Sequence, residues 1–300
     1  MVVAVELGLL YAVMALGVYL TFRILDFPDL TVDGSFTTGG ATAAMLIISG
    51  TPPLLATAAA GVTGLAAGVI TGVLHTKGRI NGLLAGILTQ IGLYSINLRI
   101  MGGKANLPLL REETLFTPLR DSALLGTAVA VGIFTVGALL LKLVLDWFLH
   151  TDTGLAMQAT GDNEEMIRSF GVSTDFMKVL GLALSNGLVA VCGALIAQYQ
   201  GFADVGMGIG LIVAGLASVI IGQAIVGQRV ILVATLAVVV GSVLYRVVIQ
   251  VALGAGLNPN DMKLISAVLV VLALVLPRWS VLRRFKPARR VRDVTVGAEA

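Results

Sequence analysis

The sequence predicts an all-α fold, a polytopic helical membrane protein of about nine spans, within a range of eight to ten. Three observations carry this. Only 12% of the 300 residues are charged, about half the share of a soluble domain. The mean hydropathy is +0.97. Apolar runs near the length that crosses a bilayer, about 20 residues, recur along the chain. The 36 glycines agree, because Gly is frequent in membrane helices.

On that ruler the spans fall at 3–22, 36–50, 53–74, 81–100, 123–146, 177–199, 208–225, 229–252 and 262–277. The amino-terminal run has no basic leader and no small-residue cleavage site, so it reads as a retained first span. The second run is short. Pro28 interrupts the stretch before it, which predicts a helix broken near 26–36. Gly64, Gly68 and Gly72 form a ladder on the third span, and Gly82 with Gly86 repeats it on the fourth. Such small-residue faces let helices approach closely, within one bundle or between subunits. A faint internal repeat pairs "GGATAAMLIISG" and "GLAAGVITGVL" with "GMGIGLIVAGLASVIIG" and "ILVATLAVVVGSVLYRVV", a layout common in transporters. The whole reads as one membrane domain over 1–280 and a basic tail over 281–300.

Charge sets the orientation. The segment "RWSVLRRFKPARRVR" (278–292) holds seven Arg or Lys and no acid, a positive-inside signature, and lipid rather than nucleic acid is its expected neighbour. With that tail cytoplasmic, 150–177 and "HTKGR" (75–79) are also inside and 101–122 is outside. Nine spans leave the amino terminus outside, and a further crossing near 23–35 would bring it inside. Cys192 is the single cysteine, so no intrachain disulfide and no Cys-rich metal site can form. No Walker loop, nucleophile elbow or H-E-x-x-H motif occurs. The expectation is a conduit rather than an enzyme, with no catalytic residue, no metal and no cofactor of its own.

Three features carry the remaining chemistry. In "RILDFPDLTVDGSFTTGGA" (23–41), Asp26, Asp29 and Asp33 are three carboxylates in eight residues. Asp33 or Ser35 is placed to cap the second span. Either that span starts below the membrane surface and aims free N–H groups at a cavity, or the stretch is an interfacial loop with a cap. Polar residues dot the fourth span (Asn81, Thr89, Gln90, Tyr94, Ser95, Asn97) and the sixth (Ser185, Asn186, Gln198, Tyr199, Gln200), while Glu6 lies in the first. In lipid such groups pair between helices or face water. Finally "GDNEEMIRSFGVS" (161–173) concentrates Asp162, Glu164, Glu165 and Arg168 between apolar runs. It reads as a short helix capped by Thr160 or Asp162, with acids in its first turn and Gly171 closing it. Either another protein grips it, or it is a solvated surface element.

The blocks "FPDLTVDGSFTTGGA", "LAGILTQIGLYSINLRIMGGKANLPLL", "GLAMQATGDNEEMIRSFGVSTD" and "ALSNGLVAVCGALIAQYQGFADVGMGIGLIVAGLASVIIG" together resemble permease subunits of ABC importers. The nearest group is the tryptophan/tyrosine-type permeases, distantly similar to branched-chain amino-acid and ribose permeases. The resemblance covers about 23–230. It implies a homodimer of permeases in the cell membrane, seated on two cytoplasmic ATPases that bind ATP and Mg, and supplied with a small solute by an extracytoplasmic lipoprotein. It makes about 160–172 the coupling helix, with Gly161, Asp162, Asn163, Glu164, Glu165, Met166, Arg168, Phe170 and Gly171 as the docking residues. The stretch Asp29, Thr31, Asp33, Ser35 then lies beside the translocation path, and the polar residues Asn97, Asn186 and Gln198 are its expected further lining. Where this chain reads "VIIGQ", that family more often reads "VIIGE", so Gln223 removes a charge. The competing reading is a self-sufficient transporter in which the Asp cluster couples H⁺ or Na⁺.

Overall fold

The computed structural model describes residues 1–228, 230–256 and 262–275. The basic segment 278–292 and the tail 281–300 lie outside the described residues. The helices are α1 (Val2–Tyr19), α2 (Thr31–Ile48), α3 (Pro53–Thr76), α4 (Gly82–Ile100), α5 (Thr117–Asp121), α6 (Ala128–Leu149), α7 (Asp152–Asp162), α8 (Glu164–Ser169), α9 (Thr174–Gln200), α10 (Leu211–Val226), α11 (Ile231–Gly254) and α12 (Met262–Val275). Each predicted span overlaps one helix, but α2, α10 and α12 are not among the candidate spans, so the expected count of about nine is not reached by length and composition. Six helices among the described residues are long and apolar enough to cross a membrane: α1 with its extension to Ile24, α3, α4, α6, α9 and α11. Polytopic helical architecture follows.

The all-α expectation needs one correction. β1 (Asn106–Pro108) and β2 (Phe202–Asp204) form a short antiparallel pair, with Leu107 opposite Ala203. Two three-residue strands whose central residues, Leu107 and Ala203, are 96 positions apart leave no periodic signal of their own. A second correction concerns boundaries. α6 begins at Ala128 rather than 123, because Ala123 (φ +52°) and Gly126 (φ +80°) hold a left-handed turn before it.

Helix α2 is the axis of the bundle. It is buried on nearly all sides and packs against α3, α4 and α9. Its composition explains both its place and its weak hydropathy. "TVDGSFTTGGATAA" is small and polar, so neighbouring backbones approach it closely while its hydroxyls bond within the helix: Thr37 Oγ1 donates to Asp33 O and Thr38 Oγ1 to Gly34 O. The Gly64–Gly68–Gly72 ladder serves internal packing. A Cβ on Gly64, Gly68 or Gly72 would collide with Asn186, Leu182 or Val179 of α9, and one on Gly82 or Gly86 with Phe27 or Leu30. Gly68→Val is therefore expected to destabilise the bundle by about 1–3 kcal/mol or more. A lowered detergent unfolding midpoint relative to Gly132→Val, which has open space, checks this. The pairs α2–α3 and α10–α11, which carry the sequence repeat, each pack side by side.

No further crossing lies between α1 and α2. α1 widens into a π-helical turn (Leu20–Ile24) and ends where Asp26 takes a left-handed φ of +51°. Five residues later α2 begins, at Thr31.

Candidate functional site

The carboxylates before and within α2 do different work from a simple cap. α2 starts at Thr31, and neither Asp33 nor Ser35 caps it, because both lie inside it. Asp29 does that work: its Oδ1 accepts the Thr31 N–H at 2.9 Å. Its Oδ2 accepts from Asn186 Nδ2 at 2.7 Å, and Asn186 Oδ1 accepts from Ser35 Oγ at 2.7 Å. Thr31 and Thr71 hydroxyls share a bond of 2.8 Å. Asp29, Thr31, Ser35 and Asn186 are all fully buried. They form one sealed network joining α2, α3 and α9, which satisfies polar groups that cost several kcal/mol each when unpaired in hydrocarbon.

Asp33 caps a different helix. Its Oδ2 accepts the Gly210 N–H at 2.7 Å and its Oδ1 the Ile212 N–H at 2.9 Å, so it neutralises the amino terminus of α10. How that terminus reaches Asp33 is the central feature of the fold. β2 lies at the far end of α2, where Ala203 packs with Ala41, Ala44 and Ile47. The chain then descends. Met207 lies against Gly40, and Gly208 against Asp33 and Thr37, whose Oγ1 accepts the Gly208 N–H at 3.1 Å. From Ile47 to Asp33 is about 21 Å of helix at 1.5 Å per residue. Residues 205–210 are thus irregular backbone running back along α2, half-buried except at Gly208, which is buried, and at Ile209 and Gly210, which are exposed, and α10 begins beside Asp33. The helix that starts beside a cavity is α10, at Gly210 and Leu211, whereas α2 starts at the Asp29–Thr31 turn. Irregular backbone at membrane depth is tolerated only where protein or a water-lined cavity satisfies it.

Cavities flank this segment on both sides. One, of about 480 Å³, lies between α2 and α4 and is lined by Asp33, Thr37, Gln90, Tyr94, Asn97 and Ile209 among others. Asn97 is almost fully buried, donates weakly to Gly34 O at 3.4 Å, and its Oδ1 has no partner. The other, of about 510 Å³, lies towards α11 and shares Ile209. Gln198 stands apart. Its Nε2 donates to Thr57 Oγ1 at 2.8 Å and its Oε1 accepts the Leu115 N–H at 3.1 Å, tying α9 to α3 and the 101–122 loop. Glu6 also bonds internally, accepting from Gly126 N–H and the Tyr199 hydroxyl.

The charged island forms two helices rather than one. α7 runs through Thr160 and Asp162, so neither caps; the cap of α8 is Asn163, whose Oδ1 accepts the Met166 N–H at 2.9 Å. Gly171 closes α8 at φ +85° as expected. Gly161 presses on the α1 end, where a Cβ would strike the Ile24 carbonyl. Glu164 binds inward, to Arg168 Nη2 at 2.8 Å and Lys178 Nζ at 2.7 Å, and accepts from the Thr174 hydroxyl. Glu165 faces solvent. So do Met166, 47% exposed, and Phe170, 75% exposed.

The Lys178 hydrogen bond is the largest cause holding the Glu164 carboxyl below its ordinary range, partly opposed by burial. A carboxylate depressed on folding stabilises above its unfolded pKa, and that gain is lost as pH falls through the folded value. Amide exchange in 164–174 is therefore expected to speed up as pH falls through that acidic window, after correction for intrinsic exchange. Glu164→Gln should remove this dependence.

Lys142 and Asp146 were not singled out in the sequence. They form a buried i,i+4 ion pair on α6 at 2.5 Å, and Asp146 accepts from Thr235 of α11 at 2.7 Å. Opposite charges four apart inside an apolar run are a legible signal. Gln223, on α10, leaves its buried Nε2 without a partner.

Residues 3–275 match the family model described as "Branched-chain amino acid transport system / permease component". The "Tyrosine transport system permease protein" of Clostridioides difficile (strain R20291) is 43% identical over 264 residues, covering 88% of this chain and 86% of that protein. An uncharacterized protein of Rickettsia prowazekii (strain Madrid E) is 33% identical over 280 residues, covering 91% and 96%. The "Autoinducer 2 import system permease protein LsrC" of Salmonella typhi is 33% identical over 165 residues, covering 54% of this chain and 45% of that one. With its apolar helices and a match over most of its length, the chain is a multi-pass protein of the cell membrane and belongs to the permease-component family of branched-chain amino acid transport systems.

Proposed function

We propose that the chain is the conduit of an ATP-binding cassette importer for an amino acid or a close relative, gripped on its cytoplasmic face by a separate ATPase. The observation that carries this is the α7–α8 handle. It exposes Met166 and Phe170 at its tip while its base is fastened to the bundle, through Gly161 on Ile24 and Glu164 on Lys178. Exposed apolar residues on a rigid, anchored element are what a docking groove recognises. Force on the tip passes to the α1 end and to α9, and α9 carries Asn186 of the sealed network.

The path runs beside the descending 205–210 segment, and Asp33 and Asn97 of the expected lining face its α4-side cavity. Asp29, Thr31, Ser35, Asn186 and Gln198 act by holding the helices that frame it. The bundle crosses nine times and pairs with a second copy. A lipoprotein delivers the solute from outside. The relative named for tyrosine transport supports an amino acid as that solute. Ion coupling by the Asp cluster is the weaker reading, since Asp29 and Asp33 each accept two internal bonds.

Cysteine cross-linking tests the grip. Cys192 is buried, so Phe170→Cys introduces the one accessible thiol. With the cognate ATPase co-expressed, a cross-link to it is expected from Phe170→Cys and not from Gly102→Cys at the opposite end. Equal labelling from both positions, or none from Phe170→Cys, would contradict the grip.

A further inference from the structure

Arg246 sits on α11 within an apolar span, eight residues from its end. Its guanidinium carbon lies 3.6 Å from the centroid of the Tyr11 ring on α1. None of the ion pairs among the described residues involves it, and its Nε is buried without an acceptor. A cation–π contact engages one face of the guanidinium and is worth about 0.5–2 kcal/mol. It leaves the buried Nε–H without an acceptor, and a half-buried cation inside an apolar span with no carboxylate beside it among the described residues is costly in a membrane. Arg246 lines the 510 Å³ cavity beyond the descending segment, together with Tyr11, Gln200, Met207, Leu211 and Tyr245. The Tyr245 hydroxyl is already spent, donating to Ser266 Oγ at 2.6 Å. The volume lies in the range of small-molecule sites, and much of the wall is apolar. A planar cation with no carboxylate partner among the described residues, in a largely apolar cavity, is suited to a carboxylate on an apolar body, because the guanidinium fork matches a carboxylate in a bidentate pair.

We propose that this cavity is a carboxylate-binding subsite for the imported solute, in which Arg246 takes the carboxylate and the Tyr11, Met207 and Leu211 wall covers the solute's body. This rests on the amino-acid reading above and adds which group of the solute is recognised, and where. The segment 205–210 then forms a partition between the subsite and the α4-side cavity, with Ile209 on both faces.

Direct binding to the full chain in nanodiscs tests it, with three labelled probes: L-tyrosine, desaminotyrosine (carboxylate without amine) and tyramine (amine without carboxylate). Expected is binding of both carboxylates, with tyramine weaker by at least about tenfold, as for a lost buried charge pair. Arg246→Gln should weaken both carboxylates by a similar factor and erase their preference over tyramine. Should Arg246→Gln fail to assemble, Arg246→Lys is read by the same carboxylate-to-amine ratio, expected to fall several-fold because the fork is lost. A merely structural clamp between α1 and α11 would not change that ratio. Desaminotyrosine binding without L-tyrosine binding would keep the subsite and overturn the amino-acid reading. Tyrosine binding with an unchanged ratio in both variants would keep that reading and overturn the subsite. No saturable binding of either carboxylate would overturn both.

Discussion

Replacing Phe170 and Met166 by Asp is expected to cut ATPase association by about thirtyfold or more and to stop transport, while the bundle stays folded. The magnitude follows from their exposure. Truncating a central apolar anchor of an interface costs about 2 kcal/mol or more, and a charge in a desolvated groove adds to that. The bundle is spared because both side chains point away from it, at 75% and 47% exposure. Glu164→Lys is different in kind. It places a third cation beside Lys178 and Arg168, so it loosens the handle's base rather than its tip. Co-purified ATPase per permease, with the unfolding midpoint measured alongside, separates the two. Phe170→Asp should lower the first alone, and Glu164→Lys both.

Asp33→Ala is expected to be the most damaging single change near the path. It strips the acceptor from the part-buried Gly210 N–H and the buried Ile212 N–H, the latter worth about 1–3 kcal/mol when left unsatisfied, and removes the charge facing the α10 dipole. Asp33→Asn keeps one acceptor and should cost roughly half as much. Accelerated amide exchange confined to 206–214 would mark the lost cap. Normal transport by both variants, with unchanged exchange, would reduce Asp33 to an incidental contact.

The parts of this architecture legible in the sequence are those written locally. Apolar runs placed the spanning helices and the charge island placed the short α7–α8 segment, while the break expected near 26–36 is the connection between two separate helices, ending where α2 starts at Thr31. What was not legible depends on partners far along the chain. Asp33 reads as the cap of its own helix because local caps leave a local pattern. Its real partners lie 177 and 179 residues away, and nothing at Asp33 records them. Similarly, the resemblance makes Glu164 a docking acid, and its place in a charged island leaves it facing outward in the sequence reading. Lys178, fourteen residues on, turns it inward. The outward apolar pair was visible as residue types but not as exposure. Arg246 is the reverse case: an arginine inside an apolar run is a signal readable from the sequence alone.

ATP-driven uptake tests the central claim most directly. The chain, reconstituted in proteoliposomes with its ATPase and binding protein, is expected to accumulate labelled L-tyrosine only when ATP is supplied on the handle side. Phe170→Asp should abolish that accumulation. Accumulation by the chain alone under a proton or sodium gradient, without ATPase or ATP, would contradict the account.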